Sequence, residues 1–421
     1  MQNNKRFDLS DYLIHFFRDV DLESDSYIHF PEHSGFFNIC EDLKCSALFL
    51  MRCALRNNKL VASWSYRNGK RSIYGYDPAI CFTDMPLAAF LQTSKERKAR
   101  GEKIGEYALM LPKNDMFVAG ARPVIYALDQ NNDFKYLKSS KHDEKIIDPN
   151  VLPLLEQYRY VTYDPTRPTP IDWTHEREWR WACRDDISLY TQEIMENGLV
   201  SDYDTLPGLN FSMYPINGAG IVVAKNYDIE KVLYDVLTLI DSRKIDINTF
   251  KFIVSIENVE AYNILDPNNL QSFIEDNILD LKQFFEIDPN KEVVILKDID
   301  HVINHITSNF IHDNEKYPEE IGKSWIWIVD NFSDVTRVLL KNHRIYVNNE
   351  GKYLLEIPNI EHYPLRKQEK ICKEIALELS KKYSIHANYF SIRGHNNPDC
   401  LPYYTDFHDN NHPYYNYSKI V

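Results

Sequence analysis

The sequence predicts an α+β protein, with a mixed sheet and its helices in residues 1–265 and a smaller α/β domain in residues 266–421. Three observations carry this. Short apolar runs of strand length recur between longer stretches whose apolar residues return every third or fourth position. Hydrophobic residues make up 44% of the chain and only 13 residues are Gly, a composition that packs into cores rather than staying disordered. Asp266-Pro267 falls between two such sets of elements, and the length suits two domains.

The elements follow in order. Asp11–Arg18 (DYLIHFFR) reads as a first strand with His15 inside it. Asn38–Arg56 reads as a helix, because Ile39, Leu43, Leu48, Met51 and Leu55 share one face. Leu60–Trp64 and Ile80–Phe82 read as strands on either side of a turn-rich SYRNGKR. Met85–Leu91 continues as a helix with Pro86 in its first turn. Tyr107–Leu111 and Pro123–Leu128 read as strands, and His142–Tyr160 as mostly helical despite Pro149 and Pro153. Three prolines in Asp164–Pro170 impose an irregular loop. Glu178–Cys183 and Gly220–Ala224 read as strands, Tyr227–Ile240 as a helix and Phe250–Ile256 as a closing strand.

The second domain begins with a helix over Leu270–Phe285, a strand over Glu292–Leu296 and a helix over Ile299–Phe310. Trp325–Val329 reads as a strand and Asp334–Lys341 as a helix. Asn348-Asn349-Glu350-Gly351 is a hairpin signal between Arg344–Val347 and Lys352–Ile357. Arg366–Tyr383 is amphipathic, with Ile371, Ile375 and Leu379 on one stripe, and His386–Ile392 is a last strand.

Composition narrows the function classes. A net charge of -14 opposes a non-specific grip on duplex nucleic acid, although a local basic patch remains compatible with one. The seven cysteines form no CxxC pair, which fits reduced thiols rather than a disulfide framework or zinc ribbon. The first residues lack the apolar run of a signal peptide, and no window of about 18 uncharged apolar residues occurs. A cytoplasmic location without membrane association is the expectation.

Chemistry concentrates in Trp173-Thr174-His175-Glu176-Arg177-Glu178-Trp179-Arg180. On an extended segment, residues two apart face the same way, so Glu176 and Glu178 would enter one site together. Two like charges there repel, which suits a site that stabilises a cationic sugar better than an ordinary strand. A surface strand laced by salt bridges to Arg177 and Arg180 is the structural alternative. Upstream, GYDPAICFTDMP offers Tyr76 as a stacking face and Thr83 as a hydroxyl at a strand end. Thr83 or Asp84 could equally cap the next helix. His15 could bond a ribose hydroxyl or phosphate, or serve as a satisfied core histidine.

The order YLIHFFR, helix, GYDPAICFTDMPL, ARPVIYAL, HEREWR over residues 8–260 resembles the AbiGi-type abortive-infection proteins and, more distantly, the DarT-like ADP-ribosyltransferases. That resemblance implies a split, mixed sheet that grips NAD as a substrate. It implies Glu178 as the catalytic acid and Glu176 as the upstream acid that orients the acceptor. It also implies His15 at the early position, with Tyr76 and Thr83 in the middle motif; Arg18 would help His15 hold ribose or phosphate. The activity implied is transfer of ADP-ribose to a nucleic acid or protein acceptor by a phage-defence toxin. The early strand reads HFFR where the family has HIT, and the Ser-Thr-Ser triplet is missing. Two other readings stay open: a non-catalytic sensor or binding protein with the same fold, and a carboxylate nuclease with Asp84 as a third acid.

Other motifs point less sharply. The basic run Lys95–Lys103 could touch phosphates or be a solvated face. His301 and His305 lack the glutamate of HExxH. His395, Asp399, Cys400, Asp406, His408, Asp409 and His412 are metal-competent, but their spacing matches no finger.

Overall fold

The computed structural model describes residues 10–21, 44–67, 70–101, 104–126, 137–138, 145–166, 168, 170–188, 206–311 and 315–407. The chain divides into two compact units. Among the described residues the first holds 10–229 and 246–279, and the second holds 230–245 and 280–407. The division therefore falls at 279/280 rather than 266, and a helical segment from inside the first stretch belongs to the second unit. The physical reason lies in Phe273, which is buried with Phe252 and Ile264 in the first unit's core.

The first unit is built on eight strands: β1 (Tyr12–Phe17), β2 (Ala79–Thr83), β3 (Tyr107–Pro112), β4 (Arg122–Pro123), β5 (Glu178–Ala182), β6 (Ala219–Val223), β7 (Phe250–Ser255) and β8 (Ile278–Asp280). Their order across the sheet is β8-β7-β6-β3-β1-β2-β5-β4. The sheet is mixed: β6 and β7 run parallel, while β1–β2, β1–β3, β2–β5, β4–β5 and β3–β6 are antiparallel. A parallel neighbour needs a crossover, and the helix over Asp228–Asp241 supplies it.

Helices α1 (Ala47–Arg56), α2 (Leu87–Ala99), α3 (Lys113–Val118), α4 (Asp228–Asp241) and α5 (Pro267–Asn277) accompany these strands in the chain. On one sheet face Ile14, Met110, Val222 and Val254 pack with Phe90 and Leu91 of α2 and Phe273 of α5. Alternation sends Leu13, Leu109, Leu111, Ile221 and Ile253 to the other face, where all five are fully buried. Helix α1 lies against β1 and β3.

The second unit carries β9 (Gly322–Ile328), β10 (Ile345–Val347), β11 (Tyr353–Leu355), β12 (Ala387–Arg393) and β13 (Tyr403–Tyr404) in the order β10-β11-β9-β12-β13. Every pairing is antiparallel, so this unit is α+β rather than the α/β expected. The hairpin at Asn348–Gly351 makes the first such pair without a crossover. Helices α6 (Pro289–Ile311), α7 (Asp334–Lys341) and α8 (Leu365–Tyr383) bury Ile299, Val338 and Ile375 against one face of the sheet.

Four expectations need correction. Residues 292–296 are helical inside α6, not a strand. The stretch 142–160 is not a helix where described: it holds a short strand at Lys145–Ile146 and a 3-10 turn at Leu154–Arg159. Leu270–Phe285 is not one helix, because α5 ends at Asn277 and a 3-10 turn covers Leu281–Phe284. Of Asn38–Arg56, Ala47–Arg56 is helical and Lys44–Cys45 is extended, while residues 38–43 lie outside the described residues. Among the described residues no helix is long and apolar enough to cross a membrane.

Candidate functional site

The register places three segments side by side. Thr83 on β2 pairs with Ile14 on β1 and with Glu178 on β5. Directly paired residues share a face, so Thr83, Ile14 and Glu178 point together. His15, one residue on, points to the opposite face with Phe82, and their rings meet edge to face at 5.7 Å. His15 and Glu178 therefore stand on adjoining rows of the sheet but on opposite sides.

Between β1 and β2 the pairing is confined to Ile14 and Thr83, whereas β1 and β3 pair at six positions. Next to that single position, His15 Nδ1 donates to the Cys81 carbonyl at 2.9 Å. The imidazole ring serves there as a ladder bond would. A carbonyl only accepts, so the proton sits on Nδ1 and Nε2 is the acceptor of a neutral ring. Burial pushes the His15 pKa below its ordinary 6.5, against the opposing pull of that carbonyl.

This shift sets a pH dependence. The unfolded histidine takes its proton as pH falls through about 6.5, while the folded one resists until lower pH. The unfolded state then binds more protons, so stability is full above 6.5 and declines as pH falls toward the folded value. His15→Gln should flatten the stability profile below pH 6.5 in urea melts; an unchanged slope would refute the assignment.

Glu176 and Glu178 are not disposed as an extended pair. Glu176 ends a 3-10 turn (Thr174–Glu176), and Arg177 takes the left-handed conformation at φ 47°. Pleat alternation therefore does not apply between them. Asp172 fixes the turn's start, accepting from Thr174 N at 3.0 Å and Oγ1 at 2.6 Å. Thr83, 2% exposed, donates its hydroxyl to the Glu176 carbonyl at 2.6 Å. Thr83 thus holds the glutamate turn, and its hydroxyl also accepts from Met85 N at 3.2 Å. The helix cap also differs from expectation: Pro86 occupies the cap of α2 and no side chain bonds there.

Each glutamate has a guanidinium. Arg97 reaches Glu176 Oε1 at 2.5 Å, with side-chain exposures of 12% and 18%. Arg180 Nε reaches Glu178 Oε1 at 2.8 Å, and the arginine is 5% exposed. Its Nη1 donates to the carbonyls of Tyr158 and Tyr160 at 2.6 and 3.2 Å. A buried, pre-oriented guanidinium fixes a carboxylate more firmly than a surface lysine would. Tyr126 stands beside both glutamates, donates to the Trp173 carbonyl at 3.0 Å, and has its pKa raised mainly by burial. Sequence reasoning missed Tyr126 and Arg97. Tyr126 lay inside the quoted ARPVIYAL, but nothing in that pattern distinguishes it; Arg97 was hidden in the basic run.

Two expected residues are not brought to this cluster. Tyr76 is 52% exposed and precedes the far end of β2, on the order of 13 Å along the strand from Thr83 at ~3.3 Å per residue. Arg18 follows the last residue of β1, four positions past Ile14, and so also runs away from Glu178. The basic run is tied down within its own unit: Lys95 to the Glu257 carbonyl, Arg97 to Glu176 and Lys98 to Glu106.

Among the described residues no three His, Cys, Asp or Glu side chains converge. Asp399 accepts from Tyr346 and Asp406 pairs with Lys373, while His408, Asp409 and His412 lie outside the described residues. The rings of His301 and His305 are stacked on α6 at 6.2 Å. The six described cysteines form no disulfide among themselves, and Cys40 lies outside the described residues.

Fold and cluster together define an α+β protein with paired carboxylate–guanidinium contacts at one end of a mixed sheet. A family described as "Protein of unknown function (DUF4427)" matches residues 290–417, within the part of the chain that carries β9–β13. No curated protein and no solved structure matches the chain.

Proposed function

We propose that the protein is an NAD-dependent ADP-ribosyltransferase, acting as a phage-defence toxin on a nucleic acid or protein acceptor. One observation supports this most: Glu178 stands on the strand next to β2, itself next to the histidine strand, opposite Thr83, the one position where β1 and β2 pair. Cleaving ribose from nicotinamide builds positive charge on the sugar, and a carboxylate fixed by Arg180 is preorganised to meet it. Glu178 takes that role. Glu176, on its own turn, faces the acceptor and orients it.

The decisive measurement uses labelled NAD and cell extract with the wild type and Glu178→Gln. The wild type should release nicotinamide or transfer label, and the variant should lose about a hundredfold or more of that rate. Equal signal from both proteins would defeat the role of Glu178.

A second reading has an observation of its own. Both carboxylates are already engaged by arginines, which is the arrangement a binding protein without catalysis would keep. It predicts NAD binding with no nicotinamide release. In the nuclease reading the third acid, Asp84, is paired with Lys113 at 2.6 Å.

A further inference from the structure

The face that carries His15 has a cluster of its own. Asp84 is 4% exposed, and its Oδ2 takes two cations, Lys113 at 2.6 Å and Arg177 at 3.6 Å. Its Oδ1 is buried and has no hydrogen-bond partner. Leaving a buried carboxylate oxygen unmatched is costly, so natural folds rarely do it without a use for the position. Lys113 Nζ also stands 5.3 Å from the Trp179 ring centre. Trp179 pairs with Phe82 across the strands, and Phe82 meets His15. One aromatic row, His15–Phe82–Trp179, thus crosses the strands, and Lys113 stands over its Trp179 end.

The chemistry of the cluster is selective. One carboxylate and two cations leave a surplus positive charge, which suits a phosphate. The unmatched Asp84 Oδ1 accepts, which suits a sugar hydroxyl. The partly exposed Trp179 ring offers a flat wall for a ribose or base. We propose that Asp84, Lys113, Arg177 and Trp179 form a binding site for a ribose phosphate, on the sheet face opposite Glu178. The site rests on the transferase reading only for the choice of ADP-ribose as a probe.

The test is isothermal titration of the full chain with ADP-ribose at low salt, with thermal melts to confirm folding. The wild type should bind, and Lys113→Met should weaken binding about tenfold and reduce its salt dependence. Asp84→Asn should weaken it as well; if that variant fails to fold, Lys113→Met carries the test alone. Adenosine, which lacks phosphate, should bind both wild type and Lys113→Met alike. Failure of ADP-ribose to bind at millimolar concentration, or equal affinity for wild type and Lys113→Met, would overturn the site. ADP-ribose binding that depends on Lys113, without nicotinamide release from NAD, would uphold this site and sink the transferase reading. Nicotinamide release with Lys113-independent binding would do the reverse.

Discussion

Asp241→Ala should cost the second unit about 3–5 kcal/mol, the range for removing one partner of a buried ion pair. Asp241 and Arg337 are 5% and 6% exposed and meet through two bonds, Nη1 to Oδ2 at 2.7 Å and Nη2 to Oδ1 at 3.0 Å. Tyr353 adds a third donor to Asp241 at 2.8 Å. Burial pushes the Asp241 pKa up and the Arg337 charge pulls it back, so the two residues depend on each other. Without the carboxylate, Arg337 keeps the carbonyls of Phe284 at 2.9 Å and Asn331 at 3.2 Å but no anion, and an uncompensated charge stays inside. A domain is stable by roughly 5–15 kcal/mol in all, so such a loss would approach unfolding. Urea denaturation measures it directly. Replacing both partners, Asp241→Leu with Arg337→Met, should cost much less, because no buried charge is then stranded. A single-variant loss below about 1 kcal/mol would show that water reaches the pair.

The sequence revealed elements where local and tertiary preferences agree. Asp334–Lys341 is helical as read, and Ser333 caps it by accepting from Thr336 N at 3.3 Å. The Asn348–Gly351 turn closes a hairpin, and Gly351 sits at φ 76°, where a side chain would be strained. Arg366–Tyr383 is helical to within a residue because its apolar stripe is long and regular. Residues 292–296 misled because four apolar residues in a row, Val293–Leu296, three of them β-branched, suit either period. Only the longer stripe of Ile295, Ile299, Val302, Ile306 and Phe310 reveals the helix.

The site was less legible than the fold, for a physical reason. Adjacent strands can be inferred from their patterns, but register cannot. A slip of one residue moves every side chain to the other face. The pairing of Thr83 with Ile14, rather than with His15, sets the histidine on the face of Phe82 instead of that of Glu178. Nothing local to YLIHFF encodes that choice. Likewise Arg177 adopts φ 47°, a value its own sequence does not announce, and this breaks the alternation that Glu-x-Glu suggested.

A fragment spanning only the family match, residues 290–417, should not fold by itself. The second unit needs two further segments, 230–245 and 280–289. Tyr234 on the first is fully buried in the core with Val338 and Ile375, and its hydroxyl donates to the Gly351 carbonyl at 3.0 Å. Asn331, also fully buried, donates to the Tyr234 carbonyl at 2.9 Å. Asp241 on the same segment neutralises Arg337. The second segment supplies the Phe284 carbonyl, the Phe285 ring 4.5 Å from the Arg337 guanidinium, and Asp288, whose carboxylate accepts from Asn290 N at the start of α6. Cutting at 290 removes all of these together and strands the arginine in an opened core. The loss adds a missing core helix to the ion-pair cost above, which exceeds what a unit of this size holds in reserve. Circular dichroism of the 290–417 fragment should show no cooperative thermal transition. Joining residues 230–245 through a flexible linker to 280–416 should restore one. A sharp, reversible melt from the short fragment would mean that the crossover segment decorates this unit rather than completing it.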